Sequence, residues 1–334
     1  MSKLSKWSNV IRGAALGDAW GDTLERREYS RILTAYGKQG MDLPEGVLTI
    51  TDDTQMSLYL AKALDGSSSD TGSVLKDQVI AAWVKWEQDP ENFRAPGETC
   101  LRAIRRMRDG FPWQHSTVSE SDGSGALMRV WAAAFLPENR WAGVAMWQAA
   151  TTHGAPNAIV SSVIAAHMVR FGYPNGDALG EVERLCQDFS WVDHRHLRWI
   201  YGLGGMNDSR NVDGFLRRGR AGVLEAAHKA RITAEHLGDG PWNGDVSERN
   251  PGWRAHDALV CAALCLDLFP DDPVQAVRRA VNTDGDSDTI GTVAGALAAV
   301  NHTFPWKGVP RNWFTRLEPQ YQDWILESDS YSFE

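Results

Sequence analysis

The sequence predicts an all-α fold, and three observations predict it. Apolar residues recur at helical spacing through nearly the whole chain, strand-like alternation is scarce, and the last apolar segment is a run of small residues suited to the centre of a helical bundle. Leu4, Trp7, Val10, Ile11, Ala14 and Ala15 form the first stripe, which is expected to end near Gly17. "GVLTI" (46–50) is the best short strand candidate. Met56, Leu58, Leu60, Ala61 and Leu64 make the next stripe, stopped by Gly66 and "SSSD" (67–70). "DQVIAAWVKWEQ" is helical and closed by Asp89-Pro90, and "GETCLRAIRRMRDG" is a short helix between glycines. "GALMRVWAAAFL", "AGVAMWQAATTHG", "PNAIVSSVIAAHMVRFG" and "ALGEVERLCQDF" continue the pattern, with Arg129 one turn inside the first and serving structure. "WRAHDALVCAALCLDLF" and "PVQAVRRAVN" lead to a final core helix beginning near Asp288. There Gly291, Ala294, Gly295, Ala298 and Ala299 permit close helix contact.

A chain of 334 residues accommodates one large domain or two ordinary ones. Apolar helices stand on both sides of the Gly-, Asn- and Asp-rich segment 202–252, which argues for one domain over 1–334. Its core covers about 8–304, segment 202–252 is peripheral, and the tail 327–334, "ESDSYSFE", is expected to be poorly ordered. A net charge of -9 argues against nucleic-acid binding. Cys100, Cys186, Cys261 and Cys265 include no CxxC and read as small core residues in a reducing compartment. No signal segment or apolar run of about 20 residues is present, so the expected location is the cytoplasm, away from membranes.

Two segments carry more acid than helix starts need. "TITDDTQMSLYLAKAL" (49–64) places Asp52 and Asp53 beside Thr51, and "NTDGDSDTIGTVAGALAAV" (282–300) alternates Asp284, Asp286 and Asp288 through a glycine turn. A cap needs one carboxylate or hydroxyl, and either segment alone reads as capping. Crowded carboxylates repel, and a bound cation is a natural way to hold them together. All-oxygen donors without nearby His or Cys suit a hard ion, Mg²⁺ or Mn²⁺.

Together with "GAALGDAWGDTLE", "SDGSGALMRV" and "THGAPNA", these two segments follow the order found in the ADP-ribosylglycohydrolases, and from about Ile11 to Val300 the chain resembles that family. The resemblance implies an all-α fold with two Mg²⁺ or Mn²⁺ ions at the base of a cleft. It implies Thr51, Asp52, Asp53, Asp286, Asp288 and Thr289 as ligands, with Asp284 outside the set and Ser287 facing away. Glu25 resembles the family's mobile acid, followed here by the unusually charged "RREY". Asp52, Asp53 and Glu25 are the candidates for steering water or passing a proton. Gly123 and Gly125 let backbone amides approach a phosphate, and the resemblance implies that Ser121, Gly123, Ser124 and Gly125 form the loop holding ribose and diphosphate. Asp122 stands where some relatives carry an aromatic residue. His153 matches a position near the diphosphate, and Gly97 a further phosphate-side loop. The implied activity is metal-dependent removal of ADP-ribose from modified protein side chains, arginine-linked first. The competing expectations are a hydrolase of serine-linked or nucleotide-linked ADP-ribose, and a non-catalytic binder of ADP-ribose or of a cognate ADP-ribosyltransferase toxin.

Overall fold

A computed structural model of the chain describes residues 5–67 and 71–333. Leu4 and positions 68–70 of the expected helix stop therefore lie outside the described residues, as does the last residue of the tail. Among the described residues the elements are fifteen α-helices joined by turns and short 3-10 segments. They are α1 (Lys6–Gly21), α2 (Tyr29–Tyr36), α3 (Asp52–Leu64), α4 (Gly72–Glu87), α5 (Glu98–Arg108), α6 (Trp113–Ser116), α7 (Trp141–Ala150) and α8 (Pro156–Phe171). After them come α9 (Ala178–Gln187), α10 (His194–Leu197), α11 (Ser209–Leu237), α12 (Ala255–Leu268), α13 (Pro273–Val281), α14 (Ser287–Asn301) and α15 (Pro319–Ser328). "GVLTI" forms no strand; Leu48 makes one isolated parallel bridge to Leu317. None of these helices is long and apolar enough to cross a membrane.

The centre of the fold is the α1–α14 pair, and small residues set its closeness. Gly13, Gly17 and Gly21 recur every four residues on α1 and face Gly295, Gly291 and Ser287–Asp288 of α14. A Cβ at Gly17 would lie 1.9 Å from the Gly291 carbonyl oxygen, and one at Gly13 would lie 2.2 Å from that of Gly295. Gly17 is thus the point of closest approach, and α1 runs on to Gly21 instead of ending near Gly17. The extra turn carries Asp18 into the interior, where it is fully buried.

This packing sets an expected result for one substitution at two sites. Gly17→Ala forces the two helices apart and is expected to cost about 2 kcal/mol or more. Gly214→Ala, inside α11 where an added Cβ meets nothing within 4 Å, should instead stabilise by roughly 0.5–1 kcal/mol. Urea-unfolding midpoints of the two variants measure both signs.

Two further expectations are corrected. The run "GALMRVWAAAFL" is not an α-helix but two 3-10 segments, Ser124–Ala126 and Trp131–Phe135, with Arg129 in the turn between them. Its carbonyls are taken from outside: Gln148 and Ser162 donate to Ala126, and Ser57 donates to Met128. Arg129 is fully buried as a tie to Gln148 and Thr152, above the Trp83 ring. The tail is packed through its described residues. Asp329 accepts two hydrogen bonds from Arg12 at 2.6 and 2.7 Å, and Phe333 is buried edge-on against Trp7. Segment 202–252 is mostly the 29-residue α11, whose apolar side lies on α8, α9 and α12.

Candidate metal centre

Three elements deliver carboxylates to one interior region. The last turn of α1 brings Asp18, the first turn of α3 brings Asp52 and Asp53 after Thr51, and the start of α14 brings Asp286, Asp288 and Thr289. All seven residues are buried.

Capping does not account for these acids. At α3 the Thr51 hydroxyl is the cap, accepting from the Asp53 amide at 3.2 Å. The other open amides are satisfied from α1: Asp18 accepts from the amides of Thr51 and Thr54 at 3.0 Å and from the Thr54 hydroxyl at 2.5 Å. Asp52 Oδ2 instead accepts from the Gly97 amide at 3.3 Å. At α14 the Asp286 side chain makes no capping bond and accepts from the Ser124 hydroxyl at 2.9 Å. Asp288 Oδ1 accepts from the neighbouring Thr289 amide at 3.0 Å.

The carboxylates feel one another. Burial, then the charge of Asp288, pushes Asp18 up to about 8 from an ordinary value of 3.8. Burial and then Asp288 also hold Asp52 and Asp53 well above the carboxylate range. Burial leads again at Asp288, followed by Asp286, and pushes Asp286 itself up to about 6. The charge of one helix start therefore reaches the other, although more than 200 residues separate them in sequence.

A divalent cation fits this donor set. Asp53 Oδ1 is buried with no hydrogen-bond partner, which is costly unless something positive meets it. The available donors are carboxylate and hydroxyl oxygens, as hard ions require. Among the described residues no group of three His, Cys, Asp or Glu side chains is drawn together tightly enough to hold an ion by itself. The carboxylates repel while uncompensated, and the ligand set the sequence suggests includes two threonine oxygens.

The remaining candidates surround this region. Glu25 follows the 3-10 turn Asp22–Leu24, its side chain 14% exposed and paired with Arg26 at 3.2 Å. Its charge contributes to the upward shifts of Asp286 and Asp288. Arg26 has φ 64°, an uncommon left-handed backbone for a side chain that is not glycine. Ser121 Oγ lies 3.1 Å from Thr99 Oγ1. Gly123 and Gly125 pack on the His153 ring, where added Cβ atoms would come 3.1 Å from Nε2 and Cε1. His153 is buried and held neutral, well below its usual range, by burial and by the Arg129 charge. Its Nδ1 is bound to the Thr152 hydroxyl at 2.8 Å. Asp284 is exposed and accepts from the Tyr29 amide at 2.9 Å, apart from the cluster. Ser287 Oγ turns back to the Thr283 and Gly285 carbonyls.

Sequence reasoning missed Asp18. The signal was the Gly-x-x-x-Gly-x-x-x-Gly spacing of α1, which matches Gly291 and Gly295 and places residue 18 beside the start of α14.

Comparison with known proteins agrees with this architecture. A sequence model of the ADP-ribosylglycohydrolase family matches residues 2–331. The chain is 27% identical over 315 residues to the ADP-ribosyl-(dinitrogen reductase) glycohydrolase of Rhodospirillum rubrum, covering 92% of this chain and 88% of that one. It is 26% identical over 351 residues to ADP-ribosylhydrolase ARH3 of Bos taurus, covering 93% and 88%. A solved structure of an ADP-ribosylglycohydrolase-related protein complex has the same fold, with a TM-score of 0.61 at 22% identity over 97% of this chain and 96% of that one. The chain belongs to the ADP-ribosylglycohydrolase family, a family of ADP-ribosyl hydrolases.

Proposed function

We propose that this enzyme releases ADP-ribose from modified protein side chains in a reaction that depends on two Mg²⁺ or Mn²⁺ ions, with the arginine-linked form as its first substrate. The observation that carries the reading is the meeting of five buried aspartates from three helices, one with an unsatisfied oxygen. A protein that only bound ADP-ribose, or only a transferase toxin, would gain nothing from so costly a cluster. The arginine preference rests on the family resemblance alone.

Thr51, Asp52, Asp53, Asp286, Asp288 and Thr289 would hold the ions. Bound there, divalent ions would supply Lewis acidity toward ribose hydroxyls and lower the pKa of a water. The chain's own groups do the rest. Asp18 holds the start of α3, and with it Thr51, Asp52 and Asp53, through the Thr51 and Thr54 amides. The Ser121 and Ser124 amides are engaged by the Val118 and Trp253 carbonyls, so the Gly123 and Gly125 amides, with the neutral His153 ring behind them, are the groups that would orient the diphosphate. Asp52, Asp53 and Glu25 are the bases that would steer the attacking water and pass its proton to the departing side-chain nitrogen. Water adds at C1″ of the ribose, the bond to the side chain breaks, and free ADP-ribose and unmodified arginine leave.

The test is incubation with arginine- and serine-ADP-ribosylated peptides, with free ADP-ribose as the readout. Release from the arginine peptide should stop in EDTA and return with Mg²⁺ or Mn²⁺, but poorly with Zn²⁺. Robust release in EDTA removes the metal-dependent reading, and release only from the serine peptide removes the arginine preference.

A further inference from the structure

The chain carries a net charge of -9, yet the outer surface of α5 is basic. Arg102, Arg105, Arg106 and Arg108 are all exposed, and they divide by partner. Arg105 and Arg108 both reach the Glu87 carboxylate at the end of α4, at 3.0 and 2.9 Å. Arg102 and Arg106 have no carboxylate partner among the described residues; Glu98, one turn before Arg102, forms no ion pair with it. The Arg106 guanidinium instead lies 4.8 Å from the centre of the Phe111 ring, which is itself exposed.

The helix begins at the carboxylate cluster. The Gly97 amide donates to Asp52 Oδ2 at 3.3 Å, and Thr99 Oγ1 lies 3.1 Å from Ser121 Oγ of the glycine loop. Arg102 and Arg106 follow Thr99 by three and seven residues, so both stand on its side of the helix. They lie about 4.5 and 10.5 Å further along the axis. Arg105 and Arg108 stand on the side turned to α4. The two unpaired guanidiniums therefore lead away from the glycine loop, with the Phe111 ring at the far end. Arginine and aromatic side chains are the types that binding surfaces enrich.

We propose that the Arg102–Arg106 face of α5 docks an acidic segment of the substrate protein beside its ADP-ribosylated residue. The proposal rests on the function proposed above and adds the class of protein it favours. An extended chain advances about 3.3 Å per residue, so carboxylates about two to five positions from the modified residue reach both guanidiniums. The planar guanidinium fork matches a carboxylate. Two free charges on a net acidic chain fall short of the basic field a nucleic acid requires. Attraction between exposed charges is screened by salt and acts on docking, so it belongs in KM and leaves kcat alone.

The test is steady-state release of ADP-ribose, in Mg²⁺ and at low and high salt, by wild type and by the double variant Arg102→Glu with Arg106→Glu. The substrates are three arginine-ADP-ribosylated peptides, flanked by Glu, Gln or Lys, and ADP-ribosyl-arginine, which has no flanks. Both positions are exposed, so the variant should melt with wild type. Wild type is expected to show a KM about 5–10-fold lower for the Glu-flanked than for the Gln-flanked peptide, a gap that closes in high salt. The double variant should reverse the order, favour the Lys-flanked peptide, and leave ADP-ribosyl-arginine unchanged. Equal KM of wild type for the Glu- and Gln-flanked peptides overturns the proposal and leaves the proposed function intact. An equal loss by the variant on ADP-ribosyl-arginine also overturns it, because the arginines would then hold the ADP-ribosyl group itself. A wild type that releases ADP-ribose from none of the four substrates overturns the proposed function and this proposal together.

Discussion

Asp288→Asn is expected to lower turnover by more than about 100-fold while the helical fold survives. Loss of a residue that merely orients a metal ligand already costs 10–100-fold in many sites, and here a candidate ligand itself is removed. Asp288 is the most connected acid of the cluster, since its charge is the first electrostatic influence on Asp18, Asp52 and Asp53. Asparagine keeps the shape and can still accept from the Thr289 amide, so the start of α14 should hold. ADP-ribose release over a Mn²⁺ titration, with circular dichroism as the fold control, measures the effect. Wild-type turnover with unchanged Mn²⁺ dependence would remove Asp288 from the ligand set.

The second large effect is a stability change whose sign depends on metal. Without metal, Asp18 and Asp286 titrate near 8 and 6 in the folded protein, against 3.8 ordinarily. A carboxyl raised by folding binds its proton more tightly in the native state. Its contribution is complete below the ordinary value and disappears as pH rises through the folded value. The metal-free protein should therefore lose stability between about pH 4 and pH 8. With saturating Mg²⁺ the slope reverses in the same window, because ions need ionised ligands and bind only the folded site. Each site filled at 100 times its Kd adds about 2.7 kcal/mol. Near pH 7.5, Asp52→Asn or Asp288→Asn should thus raise the melting temperature in EDTA and lower it in Mg²⁺. A pure capping role predicts small changes of one sign in both conditions, since asparagine caps as well as aspartate.

Much of this was written in local pattern. The apolar stripe of α3, the small residues of α14 and the surplus of acid at both helix starts are short-range features, and a period of 3.6 shows them directly. What stayed hidden depends on partners distant in sequence. Asp18 looks like a flaw in an apolar helix until the start of α3 is placed against it. The run from Ser124 to Phe135 has helical periodicity, yet side chains of α3, α7 and α8 capture its carbonyls and break the ladder. The polar tail conceals two anchors, Asp329 on Arg12 and Phe333 on Trp7. Composition announces a net acidic chain but not that Arg102 and Arg106 stand unpaired on the glycine-loop side of α5.

The central claim is that the starts of α3 and α14 form one metal-binding centre. A double-mutant cycle tests it most directly, with wild type, Asp52→Asn, Asp288→Asn and the double variant unfolded in EDTA and again in saturating Mg²⁺. In EDTA the two substitutions should each stabilise and the pair should gain less than the sum, because both relieve the same repulsion. In Mg²⁺ each should destabilise, and the pair should lose less than the sum, because the first already empties the shared site. Additive shifts that are the same with and without metal would contradict the claim and leave two separate, acid-rich helix caps.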